Sequence, residues 1–300
     1  MCDTFMMILL PTLPAVFGAR LLMKYLQTQG IVHPIVLAGF LTNVAALGLN
    51  FLIVKYLKQG FMGVAMVLVI GYYIQVVLLL LYIVLKKVYK KTWMGWSIEC
   101  LYDWKEFIAL AFPGMLMVCM EWWTFEVGTF LMGKLSISPK LAVTDFKFGE
   151  DALAAHGVLL QVVGLTFMFP LGISIAASVL VGNYLGANNP SNAKLVTKLS
   201  IALTILCASI VVVFGINAKY YIAMAFSDNK NVIDLIVETI PLICLFTVLD
   251  GIQGVCSGII RGCGQQKIGM VINFISHDVV AIPLAIILAF VVDLRLAGIN

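Results

Sequence analysis

Residues 107–132 read FIALAFPGMLMVCMEWWTFEVGTFLM, and Glu121 and Glu126 are the only charges in this stretch. An ionised carboxylate at mid-bilayer costs roughly 2.5–3.5 kcal/mol on insertion scales, so each must pair, take up a proton or face water. A carboxylate that holds either a proton or a cation can exchange one for the other. The plainer alternative is a protonated glutamate that only hydrogen-bonds between helices. Trp122 and Trp123 follow Glu121 directly. Aromatic faces attract organic cations by roughly 0.5–2 kcal/mol, although tryptophans also form interfacial belts. Five residues of helix are about 500° of turn, so Glu121 and Glu126 point about 140° apart and form no tight dyad.

Three further acids lie in apolar runs. Asp250 sits in LFTVLDGIQG, past Pro241, and Glu238 lies near the start of the same run as an interfacial charge. Asp278 follows His277 in FISHDVVAIP, where the imidazole either shares a proton with it or bonds a neighbouring helix. His33 and His156 fall near loop ends and suggest no role. The sequence has no GxxxxGK followed by Ser or Thr, no HExxH and no CxxC, which argues against nucleotide hydrolysis and a metal site. The seven cysteines are scattered, mostly in apolar runs, and read as small hydrophobes. No Ser/His/Asp set can be assembled, so an enzyme is not expected. The net charge of +4 is dispersed and points to no nucleic-acid partner.

The elements carrying these residues must be membrane helices. The chain is 62% hydrophobic and 11% charged, whereas soluble domains carry about 25% charge. Eight apolar segments are long enough to span, near 5–23, 32–54, 61–85, 107–133, 153–182, 196–217, 232–259 and 268–291. The first has no basic n-region before it and is expected to remain in the product. Pro113, Pro170 and Pro241 are expected bend points. The basic loop with Lys86, Lys87, Lys90 and Lys91 is placed in the cytoplasm; Arg20, Lys24, Lys105, Lys194, Lys198, Arg261 and Lys267 then also lie inside, giving eleven basic residues inside against eight outside. GKLSISPKLAVTDFKFGED becomes an outer loop, and IECLYDWKEFI can lie along the inner surface. A shift of 230 residues pairs Pro11 with Pro241, Gly39 with Gly269, Asn43 with Asn273 and Arg20 with Asp250, a hint of two like-oriented repeats.

Four stretches carry a family resemblance: MFPLGISIAASVLVGNYLGANNPSNAK (168–194), PGMLMVCMEWWTFEVGTFL (113–131), GIIRGCGQQKIGMVIN (258–273) and MKYLQTQGIVHPIVLAGFLTNV (23–44). Together they resemble the eukaryotic branch of the multidrug and toxin extrusion (MATE) family. The resemblance implies an all-α membrane protein, a bundle of about eight transmembrane helices forming part of a two-lobe fold of six helices per lobe. The chain then runs from the fourth helix of one lobe to the fifth of the other. Residues 1–91 form a partial N-terminal lobe, 92–106 a cytoplasmic linker and 107–300 a partial C-terminal lobe.

The resemblance further implies export of small organic cations in exchange for protons, with Na+ the less expected coupling ion and no other cofactor. Glu121 and Glu126 stand at two positions where the family has membrane glutamates. Gln161 and Asp250 stand at two others, so one ionisable group is lost and one shortened. His277 and Asp278 replace tyrosines, and the outer loop around SISPKLAVTDFK is longer than usual. The expected setting is the lipid bilayer, as a monomer in the plasma membrane or else an intracellular vesicle. Rival readings are a truncated, non-transporting form and a flippase for lipid-linked precursors; the latter favours basic cavities, whereas the charges within these spans are acidic.

Overall fold

A computed structural model describes residues 2–56, 58, 60–93, 95, 97–98, 102–137 and 146–287; of these, the side chains of 2, 61, 91, 132–137 and 146–150 are not described. Most of the extra length in the outer loop (138–145), Cys100 and Arg295 lie outside these residues, as does part of the expected surface-lying piece (99–101). The described residues form ten α-helices, with no strand: α1 (Cys2–Leu9), α2 (Thr12–Thr28), α3 (His33–Asn50), α4 (Gly60–Leu85), α5 (Trp104–Ile137), α6 (Phe146–Gly186), α7 (Pro190–Phe226), α8 (Lys230–Gly262), α9 (Gln266–Asn273) and α10 (Ile282–Ile286). Eight helical stretches are long and apolar enough to cross a bilayer, and each overlaps one of the eight segments expected. The protein is a multi-pass membrane protein.

Local sequence explains the boundaries. Pro190 opens α7, and the Asn189 side chain accepts from the Asn192 amide at 3.2 Å. Asn229 caps α8 in the same way through the Asn231 amide. The Asn229 and Asn231 side chains donate to the Asp151 carboxylate, at 2.7 and 3.1 Å, fastening the α7–α8 turn to the start of α6. The α8–α9 turn needs a left-handed residue, supplied by Gly264 at φ 73°, and the Gln265 amide closes it on the Ile260 carbonyl at 3.1 Å. α5, α6 and α8 run without interruption through Pro113, Pro170 and Pro241. The hydrogen-bond register changes elsewhere, in π-turns at Phe51–Tyr56 and Phe274–Ala281.

Contacts divide the chain into two compact units, 1–102 and 103–300. In the first, Leu26, Ala38, Leu79 and Ile83 form a small buried core. Gly39 and Asn43 line a groove of about 280 Å³ there, and Asn43 bonds only back to the Gly39 carbonyl, at 3.0 Å. Their repeat partners in the second unit are engaged more deeply. Asn273 is buried and donates to the Met117 carbonyl at 2.9 Å, while Gly269 lies against the Met117 sulfur.

The second unit is organised by α6 against α8. Ala152, Ala155, Leu159 and Val163 on α6 meet Val232, Ile236, Ile240 and Ile243 on α8. These follow the three- and four-residue spacing of a single helical face. Further along the same faces the partners become small. Added Cβ atoms on Gly251, Gly254, Gly258 and Gly262 would meet Pro170, Phe167, Ser174 and Ser178 in turn. At Gly258 the clash is with the Ser174 hydroxyl and, at 2.5 Å, the Ser174 carbonyl. Small residues at such a contact let helix backbones approach closely within lipid. Gly258→Val is therefore expected to abolish or sharply lower the yield of monodisperse protein in size-exclusion chromatography. Gly39→Ala, with nothing within 4 Å of the added carbon, is expected to leave that yield unchanged.

Candidate functional site

The sequence DGIQGVCSGIIRG, residues 250–262, places a glycine after each of four polar residues. Steps of three, four and four residues keep Asp250, Gln253, Ser257 and Arg261 on one stripe of α8, and the glycines occupy the next stripe, about 100° round. The glycine stripe is closed against α6, and Gln253 and Arg261 of the polar stripe lie near Glu121 of α5. Phe125 of α5 and Phe246 of α8 meet edge to face with centroids 6.1 Å apart. One turn before Phe125 is Glu121, and one turn after Phe246 is Asp250. The two carboxyl groups thus lie at one level of two oppositely directed helices and act on each other electrostatically.

Among the described residues, Glu121 is the most enclosed acid, at 8% exposure. It lies beside the Gln253 side chain and in the field of Arg261. Gln253 Nε2 donates to Ser257 Oγ at 3.3 Å, and Gln253 Oε1 is buried without a partner. Arg261 Nη2 donates to Ser174 Oγ at 3.3 Å, and that hydroxyl donates to the Gly254 carbonyl at 2.7 Å. Asn273 and Met117 fix α9 to α5 one turn before Glu121.

The remaining predicted positions are distributed differently. Glu126 and Gln161 are exposed, and Trp122 and Trp123 are exposed at 58% and 57%. His277 and Asp278 lie in the π-turn, partly buried, with one Asp278 oxygen lacking a partner. His277 lines a cavity of about 640 Å³ between α5, α6, α8 and the π-turn, within the range of small-molecule sites. His156 lines it too, buried at 3% exposure, with Nε2 at 3.5 Å from Thr129 Oγ1. His156 is thus a core residue rather than a loop-end one. Neither Glu121 nor Asp250 is among the described residues lining this cavity.

Arg261, Gln253 and Ser174 are the members that the sequence reading missed. Arg261 was counted among loop charges because it ends an apolar run. The paired rhythm of polar residue and glycine was the available signal.

Residues 113–287 match the MatE family. Multidrug and toxin extrusion protein 1 of Oryctolagus cuniculus is 37% identical over 296 residues, covering 99% of this chain and 50% of that protein. The Homo sapiens protein of the same name is 36% identical with the same coverage. Among solved structures, the eukaryotic MATE transporter AtDTX14 matches with a TM-score of 0.89 at 27% identity, over 99% of this chain and 64% of that one. The chain spans about half the length of the curated relatives it matches.

The Asn273–Met117 bond sets how α9 meets α5. Asn273→Ala is expected to lower stability by about 1 kcal/mol, the scale of one side-chain hydrogen bond between membrane helices, as read in a denaturant or thermal melt of the purified protein.

Proposed function

The chain belongs to the MatE family of multidrug and toxin extrusion transporters, and from that premise we propose that the protein carrying it exports organic cations in exchange for protons through Glu121. The observation behind this reading is a buried glutamate facing a second acid across two membrane helices, on a scaffold whose relatives are transporters. A carboxylate in such a place holds one positive species at a time. Loaded with a cation it is neutralised by cargo; loaded with a proton it releases cargo. Asp250 adds a second negative charge at the same level. The cavity beside it, apolar with histidine, serine and threonine at its edges, accommodates the body of an amphiphilic cargo. Alternation between the two faces of the membrane follows from the difference in loading, because each state is favoured by the species it binds better.

Glu126 contributes less in this reading, being exposed, and Gln161 supplies no proton. The assigned membrane is the plasma membrane and the assigned active form is the monomer.

Proteoliposomes with an imposed pH gradient test the proposal. Protein carrying this chain, both as the 300 residues and within any longer product of the same transcript, is expected to accumulate a labelled organic cation against protons. Glu121→Gln abolishes this at unchanged protein yield, and Glu126→Gln lowers it less than tenfold. Uptake that ignores the gradient, or survives Glu121→Gln, refutes the proposal. Uptake by the longer product alone assigns the 300 residues to a non-transporting part.

A further inference from the structure

Arg261 lies in the last turn of α8, where a long basic side chain would ordinarily extend outward to the headgroups. It does the opposite. Its guanidinium bonds the Ser174 hydroxyl, whose own proton goes to the Gly254 carbonyl, seven residues before Arg261 on the same helix. The side chain therefore runs back along α8 toward its N-terminus, the direction in which helical side chains lean. This carries the charge inward over Ser257 toward Gln253, along the stripe that faces Glu121.

Two features make this course possible. Glycines at 258 and 262 bring α6 close enough for Ser174 to receive the guanidinium. Small and neutral residues, Ser257 and Gln253, leave the path open.

We infer that Arg261 is a resident counter-ion: it neutralises Glu121 when neither cargo nor a proton is bound, and cargo must displace its hold. Arg261 is a positioning residue in this scheme, since it acts on cargo only through Glu121. The inference builds on the assignment of Glu121 as the exchange site, but the pairing itself can be read without cargo. The other ionisable groups on the elements around Glu121 do not duplicate the role. Asp250 carries the same sign as Glu121. His156 and His277 line the cavity, and Asp278 is an acid in the π-turn. Asp151, Lys230, Asp234 and Glu238 lie toward the far ends of α6 and α8, and Lys267 is exposed at the start of α9.

The test has two parts. The first is a double-mutant cycle on the melting temperature of purified protein, using Arg261→Gln, Glu121→Gln and the double variant. If Arg261 neutralises Glu121, Arg261→Gln strands a buried carboxylate, and the double variant regains a substantial part of the lost melting temperature. Additive losses overturn the inference. If Arg261→Gln alone does not accumulate, accumulation of the double variant supports it and its absence overturns it.

The second part is binding of a fluorescent organic cation between pH 5.5 and 8.5. In Arg261→Gln, cargo competes with protons alone, so the pH below which binding is lost moves upward by about one unit. Arg261→Lys restores the wild-type profile at least in part. A purely structural arginine would change the amount of binding and leave its pH midpoint in place, and that result overturns the inference. Wild-type protein that binds no cation, while the stability cycle is non-additive, sinks the exchange reading and leaves the pairing standing.

Discussion

The backbone approach of α6 to α8 is the constraint on which the rest of the second unit depends. Large aliphatic partners hold the two helices at one end, from Ala152 to Val163 against Val232 to Ile243. Glycines hold them at the other, where Gly258 and Gly262 rest on the Ser174 and Ser178 main chain. In lipid there is no hydrophobic gain from joining two apolar helices, so contact must come from fit and from polar bonds. The glycine end supplies both. It lets dispersion act over the main chain, and it brings Ser174 within 2.7 Å of the Gly254 carbonyl.

Closing one stripe of α8 fixes the direction of the next. With the glycines facing α6, Ser257 is buried and Asp250, Gln253 and Arg261 are partly buried. They share the interior with Glu121, and their charges have to be settled among themselves. Two acids and one arginine carry one net negative charge when all are ionised. A bundle that cannot neutralise itself from its own side chains favours taking up one positive species. Asn273 adds a neutral fixed point: its bond to the Met117 carbonyl sets the height of α9, and through it the π-turn that carries His277 beside the cavity.

The spans were legible in the sequence because length and apolar composition alone decide them, and none of the eight depends on a partner. Glu121 was legible for a related reason, as a charge has no plain excuse in the middle of such a run. Its relation to Asp250 was expected through the family resemblance and not from spacing, because the two lie 129 positions apart; the Phe125–Phe246 contact brings their levels together. Arg261 was misread by its place at the end of an apolar run, where most arginines do face water. Trp122 and Trp123 were read as an aromatic face for a cation beside Glu121, yet adjacent residues on a helix point about 100° apart. They stand on the exposed side. His156 was misjudged for want of its neighbour, Thr129, which comes from a different helix.

The charged stripe and the cavity are neighbours with different chemistry, and under the proposed exchange of cations for protons the difference would bear on selectivity. Glu121 and Asp250 lie one turn from the Phe125–Phe246 pair, whose rings line the cavity. A cargo long enough to place an apolar body among Leu160, Val163 and Phe246 can bring a positive end past that aromatic contact to the acids. A compact inorganic cation would meet the acids but gain nothing from the cavity, and a neutral apolar molecule would fill the cavity without discharging the stripe. Only an amphiphilic cation draws on both regions at once. If the protein exchanges cations as proposed, breadth toward many such molecules would follow from physics that is not shape-specific: dispersion against an apolar wall, and attraction to a negative charge that any cationic group can satisfy.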